Sequence, residues 1–126
     1  MRVLLDTHVY LWWLLDSPRL ARADAEVIAD PATIVCVSAA SIWEASIKSA
    51  LGRLDLDGID LVVEVGRNGF VELEMSAAHA WSAGRLPPHH RDPFDRMLVA
   101  QAHHEQLLLV TDDEMLAKYD VAILGR

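Results

Sequence analysis

The chain has 126 residues, of which 52% are hydrophobic and 24% are charged, and its formal net charge at pH 7 is -8. This length is typical of one domain, here residues 1–126, and the composition excludes a disordered or fibrous chain. The negative charge excludes a general basic surface for nucleic acid, because neutralising phosphates requires Lys and Arg.

Five short apolar runs predict β-strands. The first two, residues 3–5 and 34–37, are rich in aliphatic and β-branched side chains. Residues 71–75 alternate apolar and acidic side chains, which is typical of a half-buried strand. Two more apolar runs follow near the C-terminus, at residues 107–110 and 121–124.

Helical patterns lie between these runs, with residue types that begin and end helices. Serine, threonine and aspartate side chains accept hydrogen bonds from the free N–H groups of a first turn, and glycine commonly follows the last turn. The predicted starts follow Ser17, Ser76, Asp92 and Thr111, and the predicted ends lie at Gly52 and Gly69.

Strands that alternate with helices need crossover connections, and these predict a doubly wound α/β fold. We expect three layers, with a central parallel sheet of four to five strands flanked by helices on both faces. In such sheets, ligands bind beyond the carboxyl ends of the strands. The polar residues that directly follow a predicted strand are Asp6, Ser38, Thr111, Asp112 and Asp113.

Two aspartates are candidate site residues that also have ordinary structural explanations. Asp6 directly follows the first strand, where an aspartate is also a common helix N-cap. Asp95 shares a helical face with Leu98 and Val99, so its carboxylate is expected to face inward, where an isolated charge costs several kcal/mol. The helix dipole also favours an acid in this first turn, and the pattern leaves both explanations open.

The neighbouring residues in the sequence do not decide between a structural and a functional role for four further acids. Asp92 precedes a proline, which favours a capping role and leaves it as a candidate neighbour of the site. Glu44 lies mid-helix, four residues before Lys48, where an exposed ion pair is equally plausible. Asp112 and Asp113 follow a strand, but acids are also favoured at the start of the helix predicted there.

If Asp6, Asp95 and Asp113 converge, their mutual repulsion needs a cation or protons to offset it. Carboxylates ~4 Å apart repel by ~4 kcal/mol at an effective dielectric of 20. All-oxygen ligands favour Mg²⁺ or Mn²⁺, ions that clamp phosphate oxygens and activate water in phosphodiester hydrolysis. A small local basic patch could assist with phosphate, and it comprises Arg85, His89, His90, Arg91 and Arg96.

Two features predict a cytoplasmic protein with no membrane partner. The apolar runs are shorter than the ~20 residues of a membrane helix, and Asp6 interrupts the apolar N-terminus before a signal-peptide core can form. The one cysteine, Cys36, lies in an apolar run and is expected to be a small core residue in a reducing compartment.

Several motifs together resemble those of the VapC toxins of the PIN-domain family. They are LLDTH at residues 4–8, SIWE at 41–44, LP at 86–87, RDPFDR at 91–96 and LVTDD at 109–113. The DTH start combined with D-P-F-D-R-x-L-x-A-Q-A at 92–102 is much more specific than scattered acids. The resemblance covers nearly the whole chain, in order.

The resemblance implies a PIN-like fold and a metal site. It assigns Asp6, Glu44 and Asp95 as the three core metal-binding acids and Asp113 as the fourth, with Asp112 at a variable position whose role the doubled aspartate leaves open. The remaining residues that it suggests for RNA contact or for support of the site are Thr7, Arg91, Asp92, Arg96, Thr111 and Asp112.

The resemblance also implies an activity and its partners. Similar toxins are endoribonucleases that use Mg²⁺ or Mn²⁺ and belong to type II toxin-antitoxin systems. They hydrolyse RNA, are inhibited by a VapB-like antitoxin, and commonly form homodimers. We expect the same of this chain.

Two alternatives from other functional classes share part of this pattern. A catalytically silent PIN-like regulatory or binding module would use the same surface, although the intact acidic set argues against it. A phosphoacceptor receiver domain has a similar length and an acidic Mg²⁺ pocket, but it needs an aspartate after the middle strand. This chain has Ser38 and Ser76 after its second and third predicted strands.

Overall fold

Strands and helices alternate along the chain, as the sequence predicts. The computed structural model describes residues 1–125, within which no helix has the length and apolar character needed to cross a membrane. The elements are β1 (Arg2–Leu5), α1 (Thr7–Leu14), α2 (Arg22–Ala29), β2 (Ile34–Ser38), α3 (Ala39–Ala50), α4 (Leu61–Arg67), β3 (Val71–Leu73), α5 (Ala77–Gly84), α6 (Pro93–Glu105), β4 (Leu108–Val110) and a 3-10 helix (Glu114–Lys118).

The strands form one four-stranded sheet in which all neighbours are parallel, in the order β3-β2-β1-β4. The predicted α/β class with a parallel sheet is therefore confirmed. β1 lies between β2 and β4, so the strands that follow it extend the sheet on both of its sides. A switch of this kind opens a crevice beyond the carboxyl ends of the two neighbouring strands.

Alternating side chains of the strands pack into two hydrophobic clusters, one on each face of the sheet. Val3 and Leu5 point to the cluster that α1 and α4 cover. Leu4 and Cys36 belong to the other cluster, which contains Leu98 of α6. Successive residues of a strand point to opposite faces, and helices must cover both faces of a parallel sheet. The predicted core position of Cys36 is confirmed.

Two of the predicted strands are shorter than expected. Residues 121–124 form only an isolated parallel bridge, Leu109 with Ile123, and no fifth strand. The bridge has two main-chain hydrogen bonds, from Leu109 to Ala122 and from Leu124 to Leu109. β3 ends at Leu73, so its predicted extension through Met75 was wrong. Both segments lie at sheet edges, where only one neighbour is present to extend the pairing.

Two predicted helix starts were wrong because the capping side chains have other partners. Ser17 accepts a hydrogen bond from Arg19 in an isolated turn, and α2 begins only at Arg22. Thr111 does not cap the last helix: its hydroxyl group donates to Asp6 and accepts from the backbone N–H of Asp113, which lies before that helix. Asp113 is the N-cap of the 3-10 helix instead.

The other start and end signals were confirmed. Ser76 caps α5 and Asp92 caps α6, each through side-chain oxygens that accept from backbone N–H groups. Gly52 and Gly69 follow the C-caps of α3 and α4 with φ angles of 72° and 70°. Such left-handed backbone is costly for residues with a Cβ atom, which explains glycine at both positions.

A buried hydrogen-bond chain connects the end of β2 to α6 directly beneath the crevice. Ser38 caps α3 by accepting from the N–H of Ala40 at 3.0 Å, and its hydroxyl group donates to Oε1 of Gln101 at 2.6 Å. The Gln101 amide is fully buried and donates in turn to the carbonyl oxygen of Glu74 at 3.2 Å. This chain fixes α3 and α6, the two helices that border the crevice, relative to each other.

We expect Ser38→Ala to lower the free energy of unfolding by ~1–3 kcal/mol, because it removes a helix cap and leaves an amide oxygen buried without a donor. Urea titration followed by circular dichroism measures the change. Ser46→Ala is the matched control, since Ser46 lies on α3 with an exposed side chain, and we expect a change below about 0.5 kcal/mol. Equal effects of the two substitutions would contradict this assignment.

Candidate active site

Four acids from four separate segments meet at the carboxyl end of the sheet. Asp6 directly follows β1, and its backbone N–H extends the ladder to Val110 of β4. Glu44 lies in the second turn of α3, Asp95 in the first turn of α6, and Asp113 beyond β4. These are the acids that the sequence analysis singled out as metal ligands.

Asp6 is both a helix cap and a pocket acid, so the two explanations left open by the sequence are compatible. Its side chain is buried, with one oxygen accepting from the backbone N–H of His8 at 3.2 Å and the other from the hydroxyl group of Thr111 at 2.6 Å. Burial raises the pKa of Asp6, and these two hydrogen bonds oppose the increase only in part.

Glu44 pairs with Lys48, but the pair is not the exposed surface pair that the spacing allowed. Oε2 of Glu44 lies 2.8 Å from Nζ of Lys48, and the side chains are 5% and 38% exposed respectively. The other oxygen, Oε1, is buried without a hydrogen-bond partner among residues 1–125. A buried carboxylate oxygen without a donor is costly, so this atom is available to a ligand.

Asp95 has the clearest electrostatic signature of the site. Burial, followed by the negative charges of four neighbours, raises the pKa of Asp95 to about 8, and these neighbours are Asp6, Asp92, Glu44 and Asp113. The inward orientation predicted from the helical face is therefore present. A cluster of acids keeps one carboxyl group protonated near neutral pH when the neighbouring groups do not fully compensate its negative charge.

The two aspartates after β4, Asp112 and Asp113, differ in their exposure and in their contacts. Asp112 is exposed, whereas Asp113 points toward the cluster and contributes to the raised pKa of Asp95. Oδ1 of Asp113 accepts from the backbone N–H of Met115 at 2.9 Å, and Oδ2 lies 3.3 Å from Nε2 of His90. The geometry thus favours Asp113 as the fourth acid.

Two basic residues, Lys48 and His90, contact the acids of the site in a way that the sequence did not predict. The hydrogen bond to Glu44 raises the pKa of Lys48, and the charges of Asp92 and Asp95 act in the same direction. Nε2 of His90 lies 3.2 Å from Oδ2 of Asp95. The sequence predicts Lys48 only as a surface partner of Glu44 and His90 only as part of the basic patch. Contacts with residues far away in the sequence leave no local sequence pattern.

The predicted basic patch does not form one surface. The guanidinium group of Arg85 stacks on the ring of Trp81, 4.6 Å from its centre, and Arg91 is exposed. Both terminal nitrogens of Arg96 donate to carbonyl oxygens, which belong to Ala83 in the last turn of α5 and to Leu86, Pro87 and His90 in the loop before α6. This engagement disfavours the predicted contact of Arg96 with RNA, whereas Arg85 and Arg91 are both exposed.

The other predicted supporting residues lie beneath or beside the four acids. The hydroxyl group of Thr7 donates to the hydroxyl oxygen of Ser41 at 2.9 Å, which joins α1 to α3 in the buried interior. Asp92 accepts from the backbone N–H groups of Phe94 and Asp95, so its carboxylate serves as the cap of α6. It also raises the pKa of Asp95 and is therefore near the cluster as well.

The acids present fit a hard divalent cation. Four carboxylates from Asp6, Glu44, Asp95 and Asp113 supply oxygen ligands, which Mg²⁺ and Mn²⁺ prefer. The unpaired Oε1 of Glu44 and the raised pKa of Asp95 are the features expected where a positive charge belongs. The arrangement is therefore suited to binding a metal ion and a phosphate group at the edge of the sheet.

A second cluster of potential metal ligands, His79, His104 and Glu105, has a structural explanation. Nδ1 of His79 accepts from the backbone N–H of Ser76 in the capping box of α5, and Nε2 lies 2.9 Å from Glu105. The first contact leaves the ring hydrogen on Nε2, which then donates to the carboxylate. The buried ring is fully used as a cap and a cross-link between α5 and α6.

Comparisons with known proteins identify the family and agree with the fold. The sequence model of the PIN domain family matches residues 3–122. The fold is similar to a crystal structure of VapBC2 from Rickettsia felis bound to a DNA fragment from their promoter, with a TM-score of 0.72 and 16% sequence identity. That similarity covers 98% of this chain and 96% of the other. No curated protein matches the chain.

We expect the protein in EDTA to lose thermal stability between about pH 5 and about pH 8. The folded state keeps a proton on Asp95, whose pKa is about 8, while the unfolded state releases it near the ordinary value of 3.8. The folded state then binds more protons throughout this window, so stability falls as pH rises.

Thermal unfolding of Asp95→Asn over the same pH range tests this origin. The variant cannot titrate at this position, so we expect a shallower decline and a melting temperature several degrees higher than wild type at pH 8. Asp112→Asn, at an exposed position, should keep the wild-type slope. Parallel profiles for wild type and Asp95→Asn would refute the assignment.

Proposed function

The chain belongs to the PIN domain family, and from this premise we propose that it is a metal-dependent endoribonuclease of the VapC toxin type. In this proposal it is a single cytoplasmic domain that hydrolyses phosphodiester bonds of RNA. The observation that supports it most is the set of acids whose charges raise the pKa of Asp95, together with the unpaired, buried oxygen of Glu44. Such a site has little use without a divalent cation.

We propose that Asp6, Glu44, Asp95 and Asp113 hold Mg²⁺ or Mn²⁺. A divalent cation bound there would bind phosphate oxygens and lower the pKa of a water molecule, which is the chemistry needed for phosphodiester hydrolysis. The acidic net charge of the chain is compatible with an RNA substrate, because the attraction for phosphate would be local to the site.

The surrounding side chains prepare the acids for this role. Thr111 donates to one oxygen of Asp6, and Lys48 occupies one oxygen of Glu44, so each acid has a fixed orientation. Hydrogen bonds from a second layer of residues orient ligands and raise metal affinity. We propose that Arg91, exposed beside the cap of α6, contacts the RNA backbone.

We further propose a VapB-like antitoxin as the protein partner and a homodimer as the assembly. The fold similarity to VapBC2 from Rickettsia felis supports a toxin-antitoxin role, although that structure shares only 16% of its sequence with this chain. We do not propose DNA binding by this chain, because its net charge of -8 disfavours a DNA-binding surface. An open reading frame for a small antitoxin next to the gene would support this partner.

A catalytically silent PIN-like binding module is the main alternative, and it predicts no cleavage. All four acids are present, and the charges of the other three act on Asp95, which a module selected only for binding would not need to retain. Membership of the PIN domain family leaves the receiver-domain alternative without support.

We expect purified protein to cleave RNA with Mg²⁺ or Mn²⁺, and expect Asp6→Asn and Glu44→Gln to reduce the rate by at least about 100-fold, because each removes a metal-binding charge. Gel analysis of a structured RNA, with and without EDTA, measures cleavage. Asp120→Asn is the control, since this acid is exposed and remote from the cluster. Cleavage that survives both substitutions, or EDTA, would exclude the proposed mechanism.

The two aspartates after β4 should differ sharply. We expect Asp113→Asn to reduce the cleavage rate by ~10–100-fold, because it removes the fourth acid, and Asp112→Asn to change it less than about threefold. The same cleavage assay compares them at saturating Mg²⁺ or Mn²⁺. The reverse order would show that the chain turns differently after β4 and that Asp112 is the fourth acid.

A further inference from the structure

His90 lies between two of the four acids and contacts both. Its Nε2 atom is 3.2 Å from Oδ2 of Asp95 and 3.3 Å from Oδ2 of Asp113. The two acids belong to different segments, the first turn of α6 and the loop after β4. The imidazole ring is the group that links these segments at the mouth of the site.

The hydrogen-bond pattern assigns the tautomer of this ring. The backbone N–H of Asp92 donates to Nδ1 of His90 at 3.0 Å, so Nδ1 is the acceptor and Nε2 carries the hydrogen. Nε2 is then a donor, which forms a hydrogen bond with Oδ2 of Asp113 and lies in close polar contact with Oδ2 of Asp95. In this tautomer it has no lone pair for a metal, which distinguishes His90 from a metal ligand.

The main chain of His90 is held as firmly as its ring. The backbone N–H donates to the hydroxyl oxygen of Tyr119 at 2.8 Å, and Nη1 of Arg96 donates to the carbonyl oxygen at 3.2 Å. Arg96 also donates to the carbonyl oxygens of Ala83, Leu86 and Pro87 at 3.0, 3.0 and 3.1 Å. These hydrogen bonds therefore hold the loop before α6 in a conformation that places the His90 side chain against the acids.

We propose that His90 is a positioning residue that joins Asp95 to Asp113 through its Nε2–H group and so completes the metal site. Asp113 is the most exposed of the four acids, with 34% of its side chain accessible. Its Oδ1 is already used as a cap for Met115, so the contact with His90 is what directs Oδ2 toward the cluster. This inference rests on the proposed function.

An N–H group placed between two acids also reduces their repulsion before any cation binds. Each carboxylate oxygen has more than one acceptor direction, so Oδ2 can accept from His90 and still face a metal ion. Residues that hold metal ligands in this way typically change metal affinity by ~10–100-fold when they are replaced. His90 therefore acts on binding through Asp95 and Asp113 and not by direct coordination.

The test compares His90→Met with His90→Gln, whose side chains have similar length and differ in the amide donor. Mn²⁺ binding to purified protein, without RNA, is measured by isothermal titration calorimetry at one fixed pH. We expect His90→Met to weaken Mn²⁺ binding by ~10–100-fold, and His90→Gln to restore it to within about fivefold of wild type. His89→Ala, in the same loop and packed on Tyr119, should bind as wild type does.

Each other outcome overturns the inference. Tighter binding by His90→Met would mean that the ring competes with the metal, and unchanged binding would make it a bystander. Equal losses in His90→Gln and His90→Met would show that the donor is not what matters, and an equal loss in His89→Ala would reduce the effect to loop packing. If the wild-type protein itself binds no Mn²⁺, the proposed metal-dependent function fails together with this inference. The other outcomes overturn the inference about His90 alone.

Discussion

The mutual repulsion of four carboxylates at one end of a parallel sheet is the constraint on which the surrounding structure depends. A pair of such charges ~4 Å apart repels by ~4 kcal/mol at an effective dielectric of 20, and here burial adds to the cost. The basic and hydroxyl groups nearby offset part of it: Lys48 on Glu44, His90 on Asp95 and Asp113, and Thr111 on Asp6. The raised pKa of Asp95 shows that the compensation is incomplete.

The fold brings these charges together through topology. β1 pairs with both β2 and β4, so the residues after β1 and β4 meet at one edge. The helices α3 and α6 then add one acid each from opposite faces of the sheet, and the buried Ser38–Gln101 contact holds them at a fixed separation. A site of this kind needs residues far apart in sequence, and therefore it exists only in the folded chain.

The acids with a local signal could be predicted from the sequence, and their partners could not. Asp6 follows a strand and Asp95 lies on an apolar helical face, and both positions follow from periodicity. Glu44 was identified only by family resemblance, because a spacing of four residues from Lys48 describes surface and buried pairs equally well. Thr111 illustrates the limit, since its position predicts a helix cap, but its hydroxyl group donates to Asp6, which precedes it by more than a hundred residues.

The guanidinium group of Arg96 shows how charge and shape impose different demands on one position. Its two terminal nitrogens reach four carbonyl oxygens, one in the last turn of α5 and three in the loop before α6, which a planar group with several diverging N–H bonds can do. A lysine would keep the positive charge, but its single nitrogen could serve only part of this set. The conformation of the loop before α6 therefore depends on arginine at this position, and a positive charge alone would not maintain it.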